Sequence, residues 1–170
     1  MSTRSCIARI KGDGFEGVYH HWDGYPSALG ATLYSLYKSR IFGGLRDMLS
    51  MLIDEHPAGW STINDVNWNM EPDYSNSERE RPNCFCHGER SESSQVITQD
   101  DDMGMEWAYV FDEHTHTMTV LERIRPEGNH AVGLFGTLGT NANGKREDAW
   151  AIRRVIGLDD EPEPNWEEVG

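Results

Sequence analysis

Residues 17–30 read GVYHHWDGYPSALG, and this stretch decides how the first half of the chain is organised. A β-prone run leads into a turn at WDG, and Pro26 then suits the first turn of a helix, where its missing N–H costs nothing. Beyond it, apolar residues recur at helical spacing and predict a helix with one buried stripe, formed by Leu29, Leu33, Leu36 and Tyr37. A second helix is predicted over about 45–55, with an apolar face of Leu45, Met48, Leu49 and Leu52.

The sequence on either side of this stretch predicts strands. Upstream, RSCIARIK and EGVYHH flank the turn signal KGDG, so a β-hairpin is expected over 5–21. Downstream, β-prone runs fill the second half of the chain: NCFCHGE, SQVITQ, MEWAYVFD, TMTVLERI, AVGLFG and AWAIRRVIGL. The pattern predicts an α+β fold with an N-terminal β-hairpin, two helices and then an antiparallel β-meander. The helices are expected to pack on one face of a mainly antiparallel sheet.

A chain of 170 residues fits a single domain, which we expect to span residues 1–158. Residues 159–170 carry six acids and two prolines. That composition is typical of an extended or mobile acidic tail, with Trp166 as the side chain able to dock on the domain.

The chain is strongly acidic, with a formal net charge of -14. Residues 1–50 carry a net charge of +2, residues 51–100 carry -7 and residues 101–170 carry -9. Affinity for a phosphate backbone comes from cations, so free nucleic acid is not expected as a partner. A basic protein surface or a small molecule, above all a cationic one, is the expected partner, while the oligomeric state stays open.

Membrane association is not expected, because the sequence contains no run of about 18 apolar residues. The first residues also lack the apolar core of a signal peptide. The three cysteines are an odd number, and two of them are one residue apart, so a disulfide framework is not expected. These features predict a cytoplasmic protein.

The corner at residues 19–25 is the first candidate for a functional site. His20 or His21 has the chemistry of a general acid or base, and Asp23 could orient it. Of the two histidines we take His21, so His21 and Asp23 are the candidate catalytic residues. The candidate ligand-binding residues are Tyr19, His20, Trp22, Tyr25 and, as an anion clamp, Arg90. Two adjacent histidines on a strand point to opposite faces, so at most one of them faces a given pocket. The alternative is a structural corner with buried rings and a turn made by Asp23 and by a positive φ at Gly24.

The run Cys84-Phe85-Cys86-His87 invites a zinc interpretation, because thiolate and imidazole are zinc ligands. Structural sites ordinarily use C-x(2–4)-C, whereas on a strand the C-x-C sulfurs share one face and His87 lies on the other. The spacing therefore favours no metal and two small core cysteines. If zinc is bound, its ligands are Cys84, Cys86 and His87, completed by others such as Cys6 and His20.

The stretch GVYHHWDGY resembles the signature G-[IV]-Y-x-H-[WF]-D-G-Y of a family of small proteins of bacteriophages and bacterial accessory genomes. The resemblance is close over residues 17–30 and looser up to HPAGWSTI at 56–63, while CHGERSE at 86–92 is similar to a second run of that family. It implies Tyr19, His21, Trp22, Asp23, Gly24 and Tyr25 as signature positions, with Arg90 as a partner. The family carries no established activity, and its setting implies a counter-defence or host-takeover role.

Two functions remain open from the sequence. The first is a small acidic binding or inhibitory protein without chemistry of its own. The second is a small hydrolase or nucleotide-processing enzyme that uses the His21–Asp23 pair. Both require that the corner and the segment with Arg90 lie together around a hollow open to solvent.

Overall fold

A computed structural model of the protein describes residues 2–64, 82–87, 94–101, 103–125 and 149–170. Within these ranges the strands are β1 (Ser5–Lys11), β2 (Gly14–His20), β3 (Trp60–Thr62), β4 (Asn83–Cys84), β5 (Ile97–Thr98), β6 (Trp107–Asp112), β7 (Thr117–Ile124) and β8 (Ala149–Gly157). They form one sheet in the order β4-β3-β2-β1-β6-β7-β8, and β5 also pairs with β2. The predicted α+β fold, with its N-terminal hairpin of β1 and β2, is confirmed.

Most neighbouring strands are antiparallel, and the predicted meander is present as β6-β7-β8. Two neighbouring pairs are parallel, however: β1 with β6, and β2 with β3. Parallel strands cannot be joined by a tight turn, and the chain between β2 and β3 accordingly passes through both helices. The sequence did not predict the short β3, and the predicted strand at residues 131–136 lies outside the described part of the chain.

The two predicted helices are confirmed. A π-helical turn, Pro26–Gly30, runs directly into α1 (Ala31–Ser39). After a short link, α2 (Leu45–Leu49) continues into a second π-helical turn, Ser50–Asp54. All eight predicted stripe residues are buried: Leu29, Leu33, Leu36, Tyr37, Leu45, Met48, Leu49 and Leu52. No helix among the described residues is long and apolar enough to cross a membrane.

The sheet carries a hydrophobic core on each face, because successive strand residues point to opposite sides. The helices cover the first face, where they pack against inward-facing residues of the central strands, among them Ile7, Val18, Tyr109 and Val120. A smaller core on the second face contains Cys6, Ala8, Phe15, Ile97, Met105, Ala108, Val110, Leu121 and Trp150. The central strand β1 thus supplies side chains to both cores.

A β-bulge in β8 places Ile156 and Trp150, which are six positions apart, on opposite faces of the sheet. Val120 of β7 lies opposite Arg154, but the next residue, Leu121, lies opposite Ile152, so Arg153 is the extra residue. One extra residue reverses the alternation of side chains beyond it. Ile156 therefore joins the core beneath the helices, while Trp150 joins the core on the second face.

The acidic residues 159–170 were expected to form an extended or mobile tail from which Trp166 could dock on the domain. In the structure this segment places two side chains in the core beneath the helices. Trp166 and Val169 are only 8% and 5% exposed. The indole of Trp166 meets the ring of Tyr34 edge-on at 5.9 Å, and its N–H donates to the Glu163 carboxylate.

Asp159 fastens the beginning of this segment. Its carboxylate accepts a hydrogen bond from the Tyr37 hydroxyl, lies 2.9 Å from Nδ1 of His116 and pairs with Arg40 at 3.2 Å. The hydrogen bond from Tyr37 is the largest of the causes that lower the pKa of Asp159. The hydrogen bond from His116 and the charges of His116 and Arg40 lower it further. The segment is therefore held at its start by polar contacts and at its end by apolar ones.

Replacing Trp166 with alanine is expected to destabilise the fold. Truncating a buried tryptophan leaves a cavity and costs about 3–5 kcal/mol. In a domain of this size the melting temperature should fall by roughly 10 °C, as measured by circular dichroism. The matched control is Trp22→Ala, since Trp22 is 43% exposed and its loss should shift the melting temperature by no more than about 2 °C. Equal shifts in the two variants would contradict the docking of Trp166.

Candidate functional site

The predicted corner and the cysteine-containing turn meet at β3. The backbone N–H groups of His21 and Trp22 donate to the carbonyl oxygens of Trp60 and Ser61 at 3.0 and 3.1 Å. On the other side of β3, Trp60 pairs with Cys84 in β4. This short strand, which the sequence did not predict, therefore holds the two turns side by side.

Gly59 allows this close approach. Its φ is +87°, and a Cβ at this position would clash with the backbone carbonyl of Tyr19. Its own carbonyl oxygen accepts the N–H of Phe85 at 2.9 Å, and the rings of Phe85 and Tyr19 lie 6.4 Å apart. Only a glycine satisfies both the backbone angle and the space available here.

Polar and aromatic groups do converge at the corner. The Tyr19 hydroxyl and Nδ1 of His21 are hydrogen-bonded at 2.8 Å, and the ring of Trp22 meets that of His21 edge-on at 4.7 Å. Trp22 and Tyr25 are 43% and 41% exposed, so neither is buried against the helix. The rings therefore form a surface that a ligand or partner can reach.

The turn after β2 differs from the structural corner that the sequence suggested, in which Gly24 has a positive φ. Asp23, not Gly24, adopts the positive φ, at 54°. Gly24 is required for space instead, because a Cβ there would lie 2.5 Å from Oγ of Ser5. Asp23 is exposed, and Nδ1 of His21 is paired with Tyr19, so the carboxylate is not what orients the imidazole at that nitrogen.

His20 lies in the protein interior, only 1% exposed. Its Nδ1 and Oγ of Ser5 are hydrogen-bonded at 3.2 Å, while its buried Nε2 has no partner among the described residues. Burial, with His21 nearby, lowers the pKa of His20 to about 3, so the imidazole is neutral at pH 7. Strand alternation thus buries His20 beside Val18 and leaves His21 as the imidazole that faces outward.

A candidate metal centre lies on the other side of β3. The ligand atoms of His56, Cys84 and His87 all lie within 4.8 Å of one another. Sγ of Cys84 is 3.1 Å from Nδ1 of His87, and the rings of His56 and His87 are 5.2 Å apart. One thiolate and two imidazoles are ligands that zinc accepts.

Further donors surround the thiol of Cys84. Its sulfur accepts hydrogen bonds from the backbone N–H groups of Cys86 and His87 and also contacts the side chain of Cys86. Sγ of Cys86 in turn accepts the Ala58 N–H at 3.1 Å. Burial raises the pKa of the Cys84 thiol. Burial, with His87 nearby, lowers the pKa of His56 to about 4. N–H groups that point at sulfur favour the thiolate that a metal requires.

The geometric argument against a metal does not hold at this turn. It assumed that the strand continues past Cys84, which would place His87 on the opposite face. β4 ends at Cys84, and a bend over residues 85–87 brings His87 back to the same thiol. The two suggested additional ligands lie elsewhere, since Cys6 is in the core of the second face and His20 is bonded to Ser5.

His56 is the residue that sequence reasoning missed. It follows the second π-helical turn in HPAG, a sequence that predicts only the end of a helix. An inventory of all histidines and cysteines near predicted turns would have included it. Arg90, the predicted anion clamp, lies outside the described residues.

Arg4 brings positive charge to the outer side of the corner. Burial lowers the pKa of His21, and the Arg4 guanidinium lowers it further. Burial raises the pKa of Tyr19, and Arg4 opposes that change. A neutral imidazole, a phenol and a guanidinium therefore lie close together here.

The fold and this site define a mixed α+β protein with an aromatic corner and a candidate metal centre. Comparison of the chain with protein-family models, with curated proteins and with solved structures finds no match.

The burial of His20 predicts a pH dependence of stability. In the unfolded chain this imidazole takes up a proton near pH 6.5, whereas in the folded protein it does so only near pH 3. Stability is therefore fully present above pH 6.5 and is lost as the pH falls. Between pH 6.5 and 5, His20 should account for a loss of about 2 kcal/mol in the free energy of unfolding.

Urea denaturation across this pH range measures that loss. The variant His20→Gln should show a smaller dependence on pH than the wild type, whatever its absolute stability. Replacing the exposed His114 with glutamine is the matched control and should keep the wild-type dependence. An unchanged slope in His20→Gln would show that His20 is not the buried neutral group described above.

Proposed function

We propose that the protein is a small binding protein whose fold is completed by a zinc ion. The observation that carries the metal part is the grouping of His56, Cys84 and His87, whose ligand atoms lie within 4.8 Å of one another. The aromatic corner on the opposite side of β3 would then be the binding surface.

Zinc is the ion that best fits this donor set. Thiolate and imidazole together favour zinc over magnesium or calcium, which prefer oxygen ligands. Cys86 is the natural fourth ligand, because its side chain already contacts that of Cys84. Four protein ligands make a closed tetrahedral site, the kind that serves structure rather than catalysis.

A zinc ion at this place would supply folding energy to a part of the chain with little regular structure. β3 and β4 have only three and two residues. The ion would join the end of the second helix to the turn after β4. Binding would release the thiol protons, so zinc affinity should fall at acid pH.

Purified protein is expected to contain about one equivalent of zinc when zinc is present during expression, as measured by inductively coupled plasma mass spectrometry. Cys84→Ser should reduce the content to below half an equivalent and lower the melting temperature. Cys6→Ala is the matched control, because Cys6 lies in the core of the second face, and its zinc content should match the wild type. Less than half an equivalent in the wild type would overturn the zinc assignment.

Cobalt substitution tests the fourth ligand separately. The intensity of thiolate-to-cobalt charge-transfer absorption scales with the number of sulfur ligands. If Cys86 is a ligand, Cys86→Ser should halve this intensity, and if it is not, the intensity should stay the same.

The binding part of the proposal is supported by the exposed rings of Trp22 and Tyr25 and by the acidic composition of the chain as a whole. Exposed aromatic residues are enriched at interfaces, where they supply large contact areas at low entropic cost. The net charge of -14 favours a partner with a basic surface. The resemblance of the corner to proteins of phages and accessory genomes suggests a bacterial host protein as this partner, in counter-defence or host takeover.

The hydrolase alternative has weaker support at the same corner. His21 is a suitable base, because its lowered pKa leaves it neutral at pH 7. Its Nδ1, however, is paired with the Tyr19 hydroxyl, while Asp23 is exposed in the turn. A neutral hydroxyl raises the basicity of an imidazole less than a carboxylate does, so we favour binding over catalysis.

Capture from a bacterial lysate tests the binding surface. A basic partner should bind to the immobilised protein at low salt and be released at about 0.5 M salt. The double variant Trp22→Ala, Tyr25→Ala should retain less than about a fifth of it, since an aromatic anchor contributes 1 kcal/mol or more. The control pair Ile152→Ala, Val155→Ala removes exposed apolar side chains of β8 and should retain all of it. Absence of any salt-sensitive partner, or equal capture by both double variants, would contradict the proposal.

A further inference from the structure

An open cavity of about 340 Å³ lies at the end of the sheet where β1, β6 and β7 come together. Three arginines line it: Arg4 precedes β1, Arg123 lies in β7 and Arg125 follows β7. The chain has twelve arginines, and three of them therefore line this one cavity. We call this feature the arginine cavity.

Arg4 is held at the cavity by its backbone and by its neighbours. Its carbonyl oxygen accepts the N–H of Glu106 at 2.9 Å, which fixes the strand end. A Cβ at Gly104 would lie 2.6 Å from Nη1 of Arg4. A glycine at position 104 therefore leaves room for the Arg4 guanidinium. Nε of Arg4 is buried and has no hydrogen-bond partner among the described residues. A buried donor of this kind is costly unless a ligand or water accepts from it.

Arg123 is also fixed before any ligand arrives. Its Nη1 donates to the carbonyl oxygen of Asp101 at 2.6 Å, and its guanidinium lies over the ring of Trp150, 5.2 Å from the centroid. The backbone N–H of Arg123 donates to the backbone carbonyl oxygen of Glu106 at 2.8 Å. Arg123 therefore lies beside the strand end that carries Arg4. A guanidinium that is already ordered loses little side-chain entropy when it binds an anion.

The acidic residues of the cavity do not cancel this charge. Glu106 and Glu122 also line it, against the three arginines. The carboxylate of Glu122 is paired with Arg153 of the β8 bulge, which brings a further guanidinium to this end of the sheet. Among the described residues that line the cavity, three arginines therefore stand against two glutamates.

We propose that the arginine cavity binds a phosphate group, either as inorganic phosphate or as a phosphate monoester. Guanidinium groups match the geometry of phosphate oxygens and bind them by paired N–H donors. A phosphate dianion can accept hydrogen bonds from more than one of these guanidinium groups at once. The volume falls in the range of small-molecule sites, so a monoester with an attached organic group fits as well as the free ion.

This site is separate from the proposed metal centre, which lies across β3 from the corner. Zinc content and phosphate binding are measured independently, so either proposal can fail without the other. Arg4 connects the cavity to the corner, because its charge also lowers the pKa of His21.

Isothermal titration calorimetry at constant ionic strength tests the proposal, with inorganic phosphate and adenosine 5′-monophosphate as separate probes and acetate as the reference anion. Saturable binding of either phosphate probe, tighter than that of acetate, is the expected result. Stronger binding of the monophosphate identifies an ester as the better ligand, and equal binding identifies the free ion.

Arg4→Gln should weaken phosphate binding by about tenfold or more, because it removes a charged hydrogen-bond donor. Arg125→Gln is the second variant, since replacing an exposed side chain should cost little stability; it should weaken binding as well. Arg46→Gln is the matched control, because the Arg46 side chain is 86% exposed and lies away from the cavity, and its affinity should equal that of the wild type. No saturable binding of either probe, or an equal change in all three variants, overturns the proposal.

Discussion

The buried indole of Trp60 connects the parts of this molecule that matter for a function. Its N–H donates to the carbonyl oxygen of Leu52 at 2.8 Å, which ties β3 to the second π-helical turn. Its ring packs against His56 at 4.4 Å, and its backbone pairs with His20 on one side and Cys84 on the other. A π-helical turn shifts the backbone bonding pattern, and here a carbonyl oxygen accepts from a side chain instead. The corner, the helices and the candidate metal centre are therefore all in contact with this one residue.

Local patterns in the sequence predicted the local parts of the fold. The helices and the hairpin were found because periodic apolar residues, Pro26 and the turn KGDG act within a few residues of one another. The parallel pairing of β1 with β6 joins residues about a hundred positions apart, and no local signal carries that information. The three-residue strand β3 is too short for its alternation to be recognised.

For the candidate site as well, contacts between residues close in sequence could be predicted, and contacts between distant residues could not. Tyr19, His21 and Trp22 were predicted as neighbours and are so, because they lie on one strand end and its turn. The candidate metal centre joins His56 to Cys84, which are 28 positions apart in the sequence, and the prediction failed to find it for two reasons. His56 has no nearby ligand in sequence, and the alternation rule was applied beyond the residue at which β4 ends. Burial of His20, by contrast, follows directly from the alternation of β2.

The extra residue at Arg153 limits how β8 can change during evolution. Side chains alternate with a period of two, and the bulge shifts that period by one step between Ile156 and Trp150. Exchanging one apolar residue for another in this strand alters the packing at a single position. Deleting one residue between Trp150 and Ile156 would remove the bulge and leave both side chains where they are, because five positions of regular strand also place them on opposite faces. We therefore expect the loss of one residue here to be tolerated better than the loss of two, since the loss of two would turn Trp150 toward the helices.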